Sequence, residues 1–340
     1  MIRIQNIYYM LAYAFQVLQT NGYASLGAEQ FQNTADLLSA ILARGISLQI
    51  KHGIGRDYVE ESGELLVLRG KINLSESMKV QARAGKKLVC DYDEFSVDTK
   101  QNRILKATMN ILLRSDADRK RKKALRNLIL YFQGVADIDI RRIDWNMRFD
   151  RNNQTYRMLM AVCWLVLQGM IQTQSDGFVK MLDFLDEQRM CRLYEKFILE
   201  YYRKEHPMLH AEAAQIDWKL DTPESYMLPV MQSDVMLTYQ NKTLILDAKY
   251  YAHTTQIRYE AHTIHSSNLY QIFTYVKNQA AKGGEVSGML LYAKTDEAVQ
   301  PDADYMMDGN QISVKTLNLD CEFSEVAGQL DAIAEQFIKT

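Results

Sequence analysis

Cysteine is scarce and scattered in this chain. Cys90, Cys163, Cys191 and Cys321 include no Cys-x-x-Cys pair, which argues against a zinc ribbon or a disulfide framework and points to a reducing, cytoplasmic setting. Long apolar runs are missing too: the most apolar stretches, such as residues 161 to 170, are too short to span a bilayer. The N-terminus lacks a charged segment followed by a signal-like core and cleavage site, so neither a secreted nor a membrane protein is expected. There is no Gly-x-x-x-x-Gly-Lys-Ser/Thr loop, and the chain should not hydrolyse nucleotides itself. Low-complexity linkers and internal repeats are absent. So is an excess of charge of one sign: 40 Lys/Arg against 42 Asp/Glu leave a net −2, which does not advertise a nucleic-acid partner.

The charge is unevenly spread, however. Residues 1–150 hold 23 Lys/Arg against 17 Asp/Glu and residues 151–340 hold 17 against 25, so the halves are +6 and −8. At 340 residues two domains are the better expectation, here 1–150 and 151–340. Any strong affinity for a polyanion should come from the basic half, whose densest run is Arg119-Lys120-Arg121-Lys122-Lys123, or from a partner. A solvated helix face is the plain alternative for that run.

Apolar spacing predicts helices over 4–15, 34–51, 99–113, 153–172 and 189–202, and a basic helix ending near Gln133. Between 58 and 97 the pattern shortens to alternating runs, among them 64–72 and 87–92, which suggests strands of a small sheet. Asp91, Asp93 and Glu94 form an acidic cluster there, but no lysine follows at Asp-x-Lys spacing and a structural role is expected.

The segment 229–251 carries the most chemistry. Two apolar runs flank Tyr239-Gln240-Asn241-Lys242, a plausible hairpin turn. If the hairpin is symmetric about Gln240 and Asn241, Asp234 and Asp247 face each other with Cβ atoms roughly 5 Å apart, where like charges destabilise unless neutralised. A divalent cation would neutralise them, and strand alternation puts Lys249 on the same face. Magnesium takes oxygen ligands and keeps several waters, so a few carboxylates suffice. Such an ion acidifies water and stabilises charge on phosphate, with a lysine assisting. A solvated hairpin accounts for the spacing equally well, since a one-residue slip moves Asp234 to the other face.

Downstream, Ser266-Ser267-Asn268 starts a helix on which Gln271 and Tyr275 share a face. Upstream, Glu195 lies on the flank of the 189–202 helix, where a glutamate is most often simply solvated. In this order, helix with Glu195, strand with Asp234, strand with Asp247-Ala248-Lys249, helix with Gln271-x-x-x-Tyr275, the segment resembles the PD-(D/E)XK nuclease superfamily, the last motif being like its RecB-type signature. Ser233 stands where a proline often precedes the first aspartate, and Asp247 where many members carry Glu. The resemblance implies magnesium, with manganese as a substitute, held by Asp234, Asp247 and the Ala248 carbonyl. It makes Lys249 the catalytic lysine, Glu195 an auxiliary acid, and Gln271 and Tyr275 supports.

Residues 4–15, Arg69-Gly-Lys-Ile72, Cys90 to Thr99 and Asn102 to Lys106 are similar to those of the McrC family, the nuclease subunit of McrBC modification-dependent restriction systems. That resemblance implies an α/β (α+β) fold: a restriction-endonuclease-like mixed sheet flanked by helices, preceded by a mainly helical N-terminal domain with a small β-sheet. It further implies a McrB-like AAA+ GTPase hexamer as partner, stimulated by the N-terminal region, and cleavage of double-stranded DNA containing modified cytosine (5-methylcytosine). A non-catalytic activator and a stand-alone RecB-like repair exonuclease are the competing classes. The intact Asp234, Asp247 and Lys249 speak against the first and the N-terminal half against the second.

Overall fold

The structure is a computed structural model that describes residues 2–15, 26, 29–84, 86–147, 149, 154–173, 187–222, 226–251, 255–258 and 261–339. The chain gathers into two compact units, residues 32–184 and residues 1–31 with 185–340. A single cut at 150 does not describe this division, because the first helix, α1 (Ile4–Ala14), packs with C-terminal elements and the helix at 154–173 packs with the segment before it.

The 32–184 unit contains α2 (Thr34–His52), β1 (Asp57–Leu65), β2 (Lys71–Ile72), α3 (Leu74–Ala84), β3 (Leu88–Ser96), α4 (Lys100–Arg114), α5 (Arg119–Ile129) and α6 (Gln154–Thr173). The expected first residue of α6, Asn153, lies outside the described residues. Side-chain caps start three of the helices: Asn33 accepts from the Asp36 amide, Thr99 from Asn102 and Asp118 from Lys120, each satisfying an otherwise orphaned N–H. The sheet runs β1-β3-β2, antiparallel throughout. The stretch 64–72, expected as one strand, is interrupted. Gly70 has φ +67, and a Cβ there would lie 2.3 Å from the Asp91 carbonyl oxygen, so the backbone turns where only glycine fits. Helix α3 was not legible in the sequence; its Ser77 hydroxyl donates to the Val89 carbonyl (3.1 Å) and accepts from the Val89 amide (2.8 Å), tying it to β3. Buried Asn102 holds three segments together: Nδ2 donates to the Gly55 and Val97 carbonyls (both 2.8 Å) and Oδ1 accepts from Tyr156 Oη (2.9 Å).

The other unit joins α1 to α7 (Glu187–Glu205), β4 (Gln215–Ile216), β5 (Met231–Gln232), β6 (Val235–Tyr239), β7 (Lys242–Lys249), β8 (Thr255–Arg258), β9 (Ala261–Ile264), α8 (Ser266–Ala280), β10 (Glu285–Ala293), β11 (Ala303–Met307), β12 (Asn310–Leu317) and α9 (Phe323–Lys339). The α1 face is aromatic and needs aromatic neighbours. Tyr9 stacks on Phe323 with centroids 4.1 Å apart, and Tyr13 lies among Phe197, Tyr201 and Phe323. Polar ties fix its register: Asn6 Nδ2 donates to the Leu319 and Cys321 carbonyls (both 2.9 Å), and Tyr13 Oη donates to Glu205 (2.9 Å). These contacts are the physical reason the N-terminus belongs to the C-terminal unit.

The central sheet has the order β11-β12-β10-β7-β6, with β12, β10 and β7 parallel and the two edge strands antiparallel. Strand β7 is buried on both faces from Leu244 to Ala248, which is why its sequence reads as a continuous apolar run rather than an alternation. Helix α8 returns the chain to β10 and lies close upon it at Gly288, where a Cβ would come within 2.7 Å of Val276 Cγ2 and 2.9 Å of Ile272 Cγ1. Among the described residues no helix is long and apolar enough to cross a membrane.

Gly288→Val should push α8 off the sheet. Overpacking of this kind costs about 1–3 kcal/mol, so a melting experiment should show a lowered Tm; an unchanged Tm would mean the close approach is not needed.

Candidate active site

The hairpin forms with the register read from the sequence. Val235 pairs with Leu246 and Tyr239 with Lys242, and Gln240 adopts φ 54 in the turn, a left-handed conformation. Extending that register places Asp234, the residue before β6, beside Asp247. Ser233 explains the approach: its amide donates to the Ala214 carbonyl (3.0 Å), a bond that proline could not make, and its buried hydroxyl meets the same residue. Asp234 Oδ2 in turn accepts from the Ala248 amide at 2.9 Å.

Asp247 is 1 % exposed. Lys249 Nζ stands 2.7 Å from its Oδ2, a buried ion pair at the distance of a charge-assisted hydrogen bond. The next links come from α8. Lys249 Nζ donates to Gln271 Oε1 (3.3 Å), and Gln271 Nε2 donates to Tyr275 Oη (2.9 Å). An ammonium has no acceptor to offer, so it fixes which end of the Gln271 amide faces it. The four-residue spacing of Gln271 and Tyr275 becomes a relay that holds the lysine against Asp247.

Burial dominates the electrostatics. It pushes the Asp234 carboxyl up to about 8, with Asp247 and then Glu195 adding to the rise and Lys249 and the Ala248 amide opposing it. Asp247 is raised by burial as well, against Lys249. For Lys249 burial works to lower the pKa, yet the Asp247 and Asp234 charges outweigh it and hold the ammonium above its ordinary value. Two buried carboxyls beside one cation leave negative charge uncompensated, and either a shared proton or a second cation must settle it.

Glu195 lies on α7, half-buried, and accepts from Cys191 Sγ at 3.0 Å. It is near enough to Asp234 for its charge to be felt there. Thus Asp234, Asp247, Ala248, Lys249, Gln271 and Tyr275 form one connected cluster, with Glu195 at its flank. Among the described residues no three His, Cys, Asp or Glu side chains gather closely enough to hold a metal ion. A cation here would rest on two carboxylates, backbone and water oxygens. The donor set, all oxygen, suits magnesium better than zinc.

The sequence reading overlooked a polar extension of this site. Tyr251 Oη donates to Asn268 Oδ1 (3.2 Å), and Asn268 Nδ2 donates to buried Tyr292 Oη (3.0 Å). Tyr292 pairs with Lys249 across β10 and β7 and senses the charges of both Lys249 and Asp247. Strand alternation from 249 to 251 and the helical step from 271 back to 268 were the available signals. The acidic cluster Asp91, Asp93 and Glu94 sits on β3 with Glu94 paired to Arg69 (3.8 Å), a surface arrangement.

A mixed sheet flanked by helices, with a buried aspartate pair and a lysine upon it, defines the chain as a mixed α/β protein with a two-carboxylate, one-lysine cluster. The sequence model of the McrBC 5-methylcytosine restriction system component family matches residues 4–293, and the chain belongs to that family. It is 28% identical over 345 residues to the type IV methyl-directed restriction enzyme EcoKMcrBC of Escherichia coli (strain K12), covering 99% of both chains. Among solved structures it is similar to a chain of the refined half-complex from the tetradecameric assembly of Thermococcus gammatolerans McrB AAA+ hexamers with bound McrC. That likeness has 19% identity and a TM-score of 0.47 over 94% of this chain and 75% of the other. The cryo-EM structure of the Thermococcus gammatolerans McrBC complex gives 22% identity and a TM-score of 0.39 over 59% of this chain and 58% of the other.

The raised Asp234 carboxyl has a measurable consequence in metal-free protein. Between the unfolded pKa near 4 and the folded value of about 8 the folded state binds the extra proton, so unfolding releases it and stability falls as pH rises through that window. Asp234→Asn should remove this slope, and chemical denaturation in EDTA from pH 5 to pH 9 should show wild type losing stability relative to the variant. Parallel pH profiles would contradict the buried, proton-sharing pair.

Proposed function

We propose that this chain is the nuclease subunit of a McrBC-type restriction complex, a metal-dependent endodeoxyribonuclease that hydrolyses phosphodiester bonds in DNA containing modified cytosine. The observation that carries the reading is the buried Asp234–Asp247–Lys249 cluster and the Gln271–Tyr275 relay that holds its lysine. Asp234 and Asp247, with the Ala248 carbonyl, would hold magnesium, or manganese in its place. When bound, the ion supplies charge neutralisation at the phosphate and lowers the pKa of an attacking water.

The rest of the chemistry belongs to the chain. Lys249 keeps its proton under the field of the two aspartates, so it serves as a fixed positive charge facing the phosphate oxygens, not as a proton acceptor. Gln271 holds the ammonium in place through one hydrogen bond and is itself held by Tyr275, which removes the freedom a four-carbon lysine stem would otherwise have. Glu195 acts as an auxiliary acid whose charge raises Asp234 and draws positive charge toward it.

The partner reading rests on family membership and on the lack of a phosphate-binding loop in the sequence. A McrB-like AAA+ GTPase hexamer would bind GTP and deliver DNA, and this chain would stimulate its hydrolysis. Modified-base recognition would then lie largely with that partner. Four free thiols among the described residues accord with a cytoplasmic setting.

Asp247→Ala in the assembled complex should reduce cleavage of methylated duplex to background while partner binding and GTP hydrolysis persist; EDTA should stop cleavage and added manganese restore it. Undiminished cutting by the variant, or no cutting by wild type with partner, GTP and magnesium, would refute the nuclease assignment.

A further inference from the structure

We propose that the outward face of α5 is a docking surface for the phosphate backbone of duplex DNA, a role that rests on the nuclease reading and adds where the chain grips its substrate. The helix reads Arg119-Lys-Arg-Lys-Lys-Ala-Leu-Arg126-Asn-Leu-Ile129 and contains no acidic residue. Its orientation is fixed from the inside. Leu125 is completely buried, and Arg121 pairs with buried Asp36 of α2, Nε to Oδ1 at 3.4 Å. With those two positions turned inward, Arg119, Lys120, Lys123 and Arg126 are exposed and Lys122 is half-exposed. None of these five forms an ion pair among the described residues, although exposed lysines and arginines elsewhere in the chain commonly do.

The arrangement opposes helix physics twice. Arg119–Lys122, Arg119–Lys123, Lys120–Lys123, Lys122–Arg126 and Lys123–Arg126 are like-charge neighbours three or four residues apart, each destabilising. Arg119 and Lys120 also occupy the first turn, where the helix dipole favours anions. A face that costs the fold stability and has no ion-pair partner among the described residues is a face built for something negative. The unit that contains it, residues 32–184, holds 25 Lys/Arg against 18 Asp/Glu, whereas the remainder holds 15 against 24. The unit with the carboxylates therefore repels DNA overall, and the attraction must be supplied by the other. Lysines and arginines spread over two helical turns, with no aromatic stacking platform among them, match a row of phosphates and not base edges.

The test is Lys120→Gln, Lys123→Gln and Arg126→Gln combined in the full-length protein, measured by fluorescence anisotropy with a 30-base-pair duplex in EDTA over a range of salt. Three lost phosphate contacts should make the slope of log affinity against log salt shallower by about three and weaken methylated and unmethylated duplexes alike. The Tm should stay level or rise, because like-charge repulsion is removed; a merely structural helix face would show a fall. Asp247→Ala run in parallel should bind with the wild-type slope without cutting, which separates binding from catalysis. If the triple variant binds like wild type while wild type still cuts, the docking surface is wrong and the nuclease reading stands. If the variant binds DNA normally but loses stimulation of the GTPase partner, the face belongs to an acidic protein and the DNA proposal falls. If wild type neither binds nor cuts DNA, both readings fail.

Discussion

The ion pair between Asp247 and Lys249 is the constraint on which the catalytic unit is arranged. An aspartate in a buried stretch of a central strand is expensive, and its desolvation is offset only if a cation and good geometry are brought to it. The lysine two residues on supplies the cation. Its four-carbon stem, however, needs an anchor at the far end. Gln271 provides that anchor, and Gln271 is correctly placed only because α8 lies flush on β10 at Gly288. A packing detail on a neighbouring strand thus reaches the position of one nitrogen atom.

Asp234 turns a tolerable pair into a reactive one. Its Oδ2 is bound to the Ala248 amide, which pins it at the strand entrance, and Ser233 pins that entrance to the 211–214 segment. The consequence is an excess of one negative charge in a place with little water. A structural ion pair needs no second carboxylate, and burial of this one pushes it up to about 8, so a proton or a cation has to neutralise the cluster.

Much of this was legible in the sequence, and the exceptions have definite causes. The hairpin register could be read because Gln240-Asn241 is flanked by apolar runs of matched length, and the pairing found is the one that symmetry about those two residues dictates. Gln271 and Tyr275 could be read because i,i+4 spacing on a helix is fixed geometry. Tyr292 could not, since its approach depends on which strand is parallel to β7, a non-local fact. Helix α3 was hidden by polar residues at most of its positions, where tertiary hydrogen bonds from Ser77 to Val89 override weak apolar periodicity. The break at Gly70 was hidden for the opposite reason: Leu66-Val67-Leu68 has the composition of a strand, but all three are exposed.

The placement of α1 changes how the charge asymmetry should be understood. Sequence order suggested a basic N-terminal half and an acidic C-terminal half. The contacts instead give an acidic unit that owns the first helix and all the candidate catalytic residues, and a basic unit formed by a continuous insertion between them. Tyr9, Tyr13 and Asn6 bind the acidic unit's two ends together through Phe323, Phe197 and the 319–321 backbone, so it is closed as a domain without the insertion's residues. The unit that carries the aspartate pair is thus the acidic one, with 15 Lys/Arg against 24 Asp/Glu, and by charge alone it repels a polyanion, whereas the 32–184 unit, with 25 against 18, attracts one.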